Sequence, residues 1–252
     1  MKIPTHPVRR VCALATLVLL TAACGGVDED APSSSSSTTS AGSASTTGVP
    51  SAGNDQGVQR HFKAEIWADN WFSLYLNGEL VGEDSVPITT ERSFNSETFK
   101  FDASYPFTIA MVTKDFKEND SGLEYIGTGR QQMGDGGFIA QITDTSTGTV
   151  VAKTGSDWRG LVIHRAPLDT ACEKSANPMA ECAFESSPEP ANWAAVSFDD
   201  STWVDATIYT AQEVGPKDGY LSIKWDPSAA LIWTSSLKQD NTILWRHVVT
   251  GP

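Results

Sequence analysis

The chain has 252 residues, with 18 basic and 31 acidic side chains and a net charge of −13. A surface of that sign repels nucleic-acid phosphate and anionic lipid headgroups, and no basic stretch interleaved with aromatics offsets it, so nucleic acid is not an expected partner. The 40% apolar content suits a folded domain, and all eight tryptophans fall in the C-terminal three quarters of the chain.

In chain order, the first element is a leader. Lys2, Arg9 and Arg10 form a basic head, followed by "VCALATLVLLTAA", Val11 to Ala23. That apolar run is shorter than the roughly 20 residues of a permanent membrane-spanning helix, and it reads as a processed export signal over residues 1–23. Its removal takes three basic and no acidic residues, moving the net charge from −13 to −16. The segment "LTAAC", ending at Cys24, resembles the lipobox of bacterial lipoproteins, in which the cysteine after the cleavage site is acylated. It departs from the usual pattern in having Thr21 three residues before Cys24, with Leu20 just outside. The resemblance implies lipidation of Cys24 and anchoring to the outer face of a bacterial membrane, at the cell surface or in the periplasm. Each buried acyl methylene would contribute about 0.8 kcal/mol. An ordinary secretory signal with an incidental cysteine is the other reading.

Residues 24–57 comprise the cysteine and a Ser/Thr/Gly/Ala-rich stretch with no aromatic residue. Such a composition buries too little apolar surface to offset chain entropy, and it predicts a flexible tether. Residues 58–252 are expected to form one domain. Their patterning is of period two: "HFKAEIWA", "WFSLYL", "ETFKFDA", "PFTIAMVT", "GFIAQITD", "TGTVVAKT", "GLVIHRA", "DATIYTA", "ALIWTSS" and "TILWRHVV" read as strands between clusters of Gly, Pro, Asn, Asp and Ser. No stretch holds a helical repeat over three turns. Many short strands at this spacing predict an all-β sandwich or barrel. Within "DNWFSLYLNGELVGED", Asn77-Gly78 suits a two-residue type I′ hairpin turn. That turn would oppose Leu76 to Glu79, Tyr75 to Leu80 and Leu74 to Val81, the last an apolar core pair. Once Cys12 leaves with the leader and Cys24 takes lipid, Cys172 and Cys182 remain. An even pair in an oxidising compartment predicts one disulfide, stabilising by about 2–3 kcal/mol. A metal pair is the alternative, although no second Cys/His pair stands at zinc-like spacing.

"WFSLYLNGELVGE" and "VSFDDSTWVDATIY", Val196 to Tyr209, resemble two segments of galactose-binding-like jelly-roll domains, the sugar-binding accessory domains of glycoside hydrolases. The resemblance implies a jelly-roll β-sandwich of two antiparallel sheets. It does not fix the ligand, since relatives bind other molecules or only pack against a neighbouring domain. No catalytic barrel follows in these 252 residues, so the module is expected to stand alone on its tether.

The long polar segment Lys114–Gly137 is the expected ligand site. Asp115, Glu118, Asn119, Glu124, Tyr125 and Arg130 offer carboxylates, an amide, a guanidinium and a ring to the hydroxyls and face of a sugar, and Trp158 is expected to present an exposed ring. Asp115, Asn119, Asp120 and Glu124 could instead hold calcium, although the spacing is not that of an EF-hand and Lys117 stands at the third position. A solvated acidic loop is the plain alternative. The glycines of "GTGRQQMGDGG" suit tight turns better than a phosphate cradle, for no Gly-Lys-Ser/Thr or helix follows. Trp203 is expected to pack, and Trp71 could pack or bind. His61, His164 and His247 lie in or beside strand-like runs, outside any nucleophile elbow or His-Glu-x-x-His motif. The functional expectation is therefore non-catalytic recognition of a glycan or other cell-surface component by a membrane-anchored module. Beside it stand a structural or adhesive protein-binding module and a two-carboxylate glycoside hydrolase, whose acids would face each other across a cleft about 5–10 Å wide.

Overall fold

A computed structural model describes residues 57–251. The expected leader, the lipid-bearing Cys24 and all but the last residue of the tether lie outside the described residues.

The chain forms a jelly-roll β-sandwich. Its strands are β1 (Arg60–Asp69), β2 (Trp71–Leu76), β3 (Glu79–Glu83), β4 (Asn95–Ala103), β5 (Phe107–Lys114), β6 (Leu123–Glu124), β7 (Gln132–Met133), β8 (Gly137–Asp144), β9 (Thr149–Lys153), β10 (Arg159–Arg165), β11 (Glu185–Ser186), β12 (Val204–Asp205), β13 (Thr207–Tyr209), β14 (Leu231–Trp233) and β15 (Asp240–Val249). Every run with period-two patterning became a strand. Among the described residues the α-helical content is two single turns, α1 (Pro178–Glu181) and α2 (Ala211–Val214). One sheet has the order β13-β14-β8-β1-β4, with β9 on β8, and the other β11-β10-β15-β5-β2-β3, with β12 on β10. All pairings are antiparallel, and β6 and β7 form a separate small hairpin. The chain alternates between the sheets as it proceeds, so each sheet mixes early and late strands.

The core lies between the sheets and includes Phe62, Ile66, Phe72, Ile109, Phe138, Trp233 and Trp245. Strand β5 shows why "PFTIAMVT" is apolar throughout. Phe107, Ile109 and Met111 point into this core, while Ala110 and Val112 meet a second cluster with Trp193, Trp203 and Leu244 on the outer face. A strand covered on both sides loses its polar alternation. The outer cover is the segment after β11, clamped from below by Arg246. Its guanidinium donates to Trp193 O at 2.6 Å, Ala195 O at 3.0 Å and Asp200 Oδ2 at 2.7 Å, and it lies over Phe198. "FDDSTW" is therefore a packing segment, with Trp203 buried as expected.

The Asn77-Gly78 turn forms, with φ of 51° and 96°, as a type I′ turn requires. Leu76 opposes Glu79 and Tyr75 opposes Leu80, but Leu74 faces Gly82 rather than Val81. A bulge at Val81 shifts the register there. Gly82 is forced by its neighbour, since a Cβ would come within 2.3 Å of the Phe99 ring. Cys172 and Cys182 form the expected disulfide. It lies beside Leu123 and Met133 of the small hairpin.

Candidate functional site

The two ends of the sandwich differ. At one end lie the Asn77-Gly78 turn and the start of β1. At the other, separate loops bring together Asp69, Asp115, Glu124 and Asp135. Asp69 closes β1, Asp115 follows β5, Glu124 belongs to β6, and Asp135 sits in the glycine-rich link to β8.

Asparagines build this end. Asn70 N donates to Lys114 O at 2.7 Å, its side-chain oxygen accepts from Phe116 N at 2.6 Å, and its amide donates to Glu91 O at 3.1 Å. The Asp69–Asn70 peptide bond is cis. Asn241, at the start of β15, accepts from Asp115 N through its carbonyl at 2.8 Å and offers its side-chain amide to Asp115 Oδ2 at 3.4 Å. It also meets His164 Nδ1 at 3.1 Å, and His164 Nε2 lies 3.4 Å from Asp120. Gly134 passes so close to Asp115 that a Cβ there would fall 1.9 Å from Oδ2. Gly136 and Gly137 likewise pass close to Trp233 and Val214, while Gly127 takes a positive φ of 75° in open space, so these glycines serve close approach and a turn.

Asp69, Asp115 and Glu124 are each 1–2% exposed. Neither Asp69 oxygen accepts a hydrogen bond, nor does Asp115 Oδ1. Glu124 accepts from Gln132 at 2.9 Å. The cation among them is Lys217, whose Nζ stands 3.9 Å from Asp69 Oδ2 and 3.5 Å from Asp135 Oδ2. Lys217 arrives by a defined route. The Thr210–Glu213 capping box starts α2, Gly215 ends it in the left-handed region, and Trp67 Nε1 then pins Asp218 O at 2.9 Å.

Burial raises the pKa of Asp69 well above its ordinary value, and repulsion from Asp135 and Glu124 adds to it against the pull of Lys217. Burial does the same to Asp115, reinforced by Asp69, Glu124 and Asp135. Glu124 is pushed up to about 7, first by burial, with its Gln132 bond opposing. Burial also raises Asp135, although Lys217 counters it. A group of carboxyls shifted by burial and by one another at one end of a fold is a candidate functional site.

Asp115 also lines a cavity of about 240 Å³ together with Ile88, Lys114, Phe116, Lys117, Glu118, Asn119 and Thr242. The expected residues Asp115, Glu118 and Asn119 are thus brought to one hollow, although Glu118 Oε1 is engaged by Ile126 N and Asn119 Oδ1 by Ser121 N. Nearby, Arg130 stacks 4.0 Å above the half-buried Tyr125 ring. Tyr125 hydrogen-bonds the half-buried Glu91, which lowers the Glu91 carboxyl below its ordinary range and raises the phenol.

Trp158 is not part of this end. It is fully buried, with Phe138 at its edge and His247 stacked on it at 5.2 Å. The exposed ring expected there does not exist, because the residue fills the interior between the sheets. None of the eight tryptophans is exposed, and Trp71 is partly covered with Lys114 over its ring at 4.4 Å. Of the four candidate calcium ligands, Asp115 and Glu124 share the cluster, and the side chains of Asp120, Asn119 and Glu124 are engaged within the chain. Asp120 pairs with Lys117 at 2.6 Å, Asn119 caps a turn and Glu124 faces Gln132. Among the described residues, no group of three or more His, Cys, Asp or Glu is placed to hold a metal ion.

The sequence reading missed Asp69, Asn70, Asp135, Lys217 and Asn241. One signal was available: Asp69-Asn70 is a polar pair between two apolar strand runs, too short for a loop and without a turn glycine. No family model, curated protein or solved structure matches this chain.

Proposed function

We propose that this chain is an exported, lipid-anchored β-sandwich module that recognises carbohydrate without transforming it, at the end of the domain formed by residues 114–137. The observation that carries the reading is a set of hydrogen-bond acceptors left without donors: both oxygens of Asp69 and Oδ1 of Asp115. A buried polar atom without a partner costs about 1–3 kcal/mol, and a polyhydroxylated ligand supplies donors in clusters. Asp115 also borders the cavity of about 240 Å³, and Glu118 and Asn119 share its lining. That volume is below the about 300–1,000 Å³ of sites for drug-sized ligands and suits a single terminal sugar residue. Tyr125 and Arg130 provide a stacked, polar-edged pair close by. The resemblance of the hairpin and of "VSFDDSTWVDATIY" to galactose-binding-like domains supports the same reading, and the leader with its lipobox-like "LTAAC" supports the anchor.

A glycan array tests the proposal, using the full-length chain in detergent with and without added calcium. Retention of a subset of glycans is expected, with loss in an Asp115→Asn variant. No retention in either condition would overturn it. Equal retention without calcium would remove the ion from the reading.

The second reading, a carboxylate hydrolase, is favoured by one observation. Glu124, with a pKa of about 7, is half protonated near neutrality, the state a general acid requires, and other carboxyls lie beside it. Turnover of chromogenic glycosides that disappears in Glu124→Gln would establish that reading in place of simple binding.

A further inference from the structure

We infer that the ligand group recognised by the buried carboxylates is a protonated primary amine, and that Lys217 occupies its place in the free protein. This rests on the carbohydrate reading and narrows the ligand to an amino sugar with a free amine.

The first argument is charge. Asp69, Asp115, Glu124 and Asp135 are four acids set against two cations, Lys217 within ion-pair reach of Asp69 and Asp135, and Lys238 acting on Asp135 alone. Hydroxyls would satisfy the orphaned oxygens but leave any charge uncompensated. An ammonium supplies three donors and a full positive charge in one compact group. A divalent metal would supply charge too, but the carboxyls of the described residues are not placed to ligate one.

The second argument is how Lys217 is held. Its distances of 3.9 and 3.5 Å to Asp69 and Asp135 are long for an ammonium bonded to carboxylate, where about 2.7–2.9 Å is usual. Its side chain is 46% exposed, and Asp135 beside it 40%, so this flank of the cluster opens to solvent. Glycines with positive φ, Gly215 at 64° and Gly219 at 87°, stand on either side. Nζ also lies 4.6 Å from the Phe94 ring centroid, so a cation–π contact keeps the head at the open flank of the cluster instead of deep among the carboxyls.

The third argument is that Asp69, beyond its long ion pair with Lys217, accepts no hydrogen bond where it is most enclosed. It is 1% exposed and neither oxygen accepts a hydrogen bond. A carboxyl placed in this way at a strand end, with asparagine-built walls, is completed by a donor from outside the chain.

Calorimetric titration of the full-length chain in detergent tests the inference with three probes: a glucosamine oligomer with free amines, its N-acetylated counterpart, and spermidine as an amine without a sugar. The free-amine sugar is expected to bind at least tenfold more tightly than the acetylated one. Asp69→Asn is expected to remove that preference, and Lys217→Met, at an exposed side chain, to tighten amine binding several-fold. If both sugars bind equally, the amine inference fails and the carbohydrate reading stands. If spermidine binds and neither sugar does, the amine inference stands and the carbohydrate reading fails. If none of the three binds, both fail. If Lys217→Met leaves amine affinity unchanged or weakens it, Lys217 is not the stand-in.

Discussion

Replacing Glu124 by glutamine should stabilise the domain at neutral and alkaline pH. The wild-type carboxyl has a folded pKa of about 7 against an ordinary 4.5, because it is buried beside other acids. The folded state therefore holds its proton more tightly than the unfolded chain. Between pH 4.5 and 7 it carries more protons, so stability falls as pH rises through that window and stays low above it. At about 1.36 kcal/mol per pKa unit, the loss at pH 8 is roughly 3 kcal/mol. A neutral glutamine side chain does not incur it, and its amide oxygen can still accept the bond from Gln132. For a domain of this size, about 3 kcal/mol corresponds to a rise in melting temperature of roughly 6–12 °C. Thermal melts of both proteins at pH 8 and pH 4.5 check this, with the gap expected to close at the lower pH. A gap that is equal at both pH values, or a Glu124→Gln variant less stable at pH 8, would refute the argument that the carboxyl is destabilised by its surroundings.

Three further outcomes follow from the geometry. Gly134→Ala places a methyl 1.9 Å from Asp115 Oδ2 and should abolish glycan retention while lowering stability by about 1–3 kcal/mol; unchanged retention on an array would detach Asp115 from binding. Arg246→Ala removes the clamp under the 193–203 segment and should cost about 3–5 kcal/mol in urea unfolding, with near-ultraviolet dichroism reporting the release of Trp193 and Trp203. Replacing both Cys172 and Cys182 by serine should lower the melting temperature by roughly 4–12 °C, from a loss of about 2–3 kcal/mol.

The strands were readable because alternation is local information. Phe62, Ala64 and Ile66 mark the inner face of β1 from their spacing alone. The hairpin turn was readable for the same reason, while its register beyond two pairs was not. The bulge at Val81 brings Gly82 opposite Leu74, where the Phe99 ring of β4 leaves no room for a Cβ, and no local pattern in the hairpin announces that neighbour. The site was half readable. Asp115, Glu118 and Asn119 share one segment and line one cavity. Asp135 lies later in that same segment, whereas Asp69, Lys217 and Asn241 come from three other parts of the chain and meet it only once the sheets have formed. Trp158 misled because flanking charges, Asp157 and Arg159, say little about a ring that turns inward from an edge.

Strand β1 has one further consequence. It begins at Arg60 and ends at Asp69, and at about 3.3 Å per residue it spans roughly 30 Å. Val249, at the end of β15, opposes Phe107 at the start of β5, while Asp115 follows the opposite end of that strand. The chain thus enters and leaves the domain at one pole, and the carboxylates lie at the other. A reporter joined directly before residue 58 or after residue 251 would start from the pole away from the carboxylates, so immobilisation through it leaves that end of the domain open.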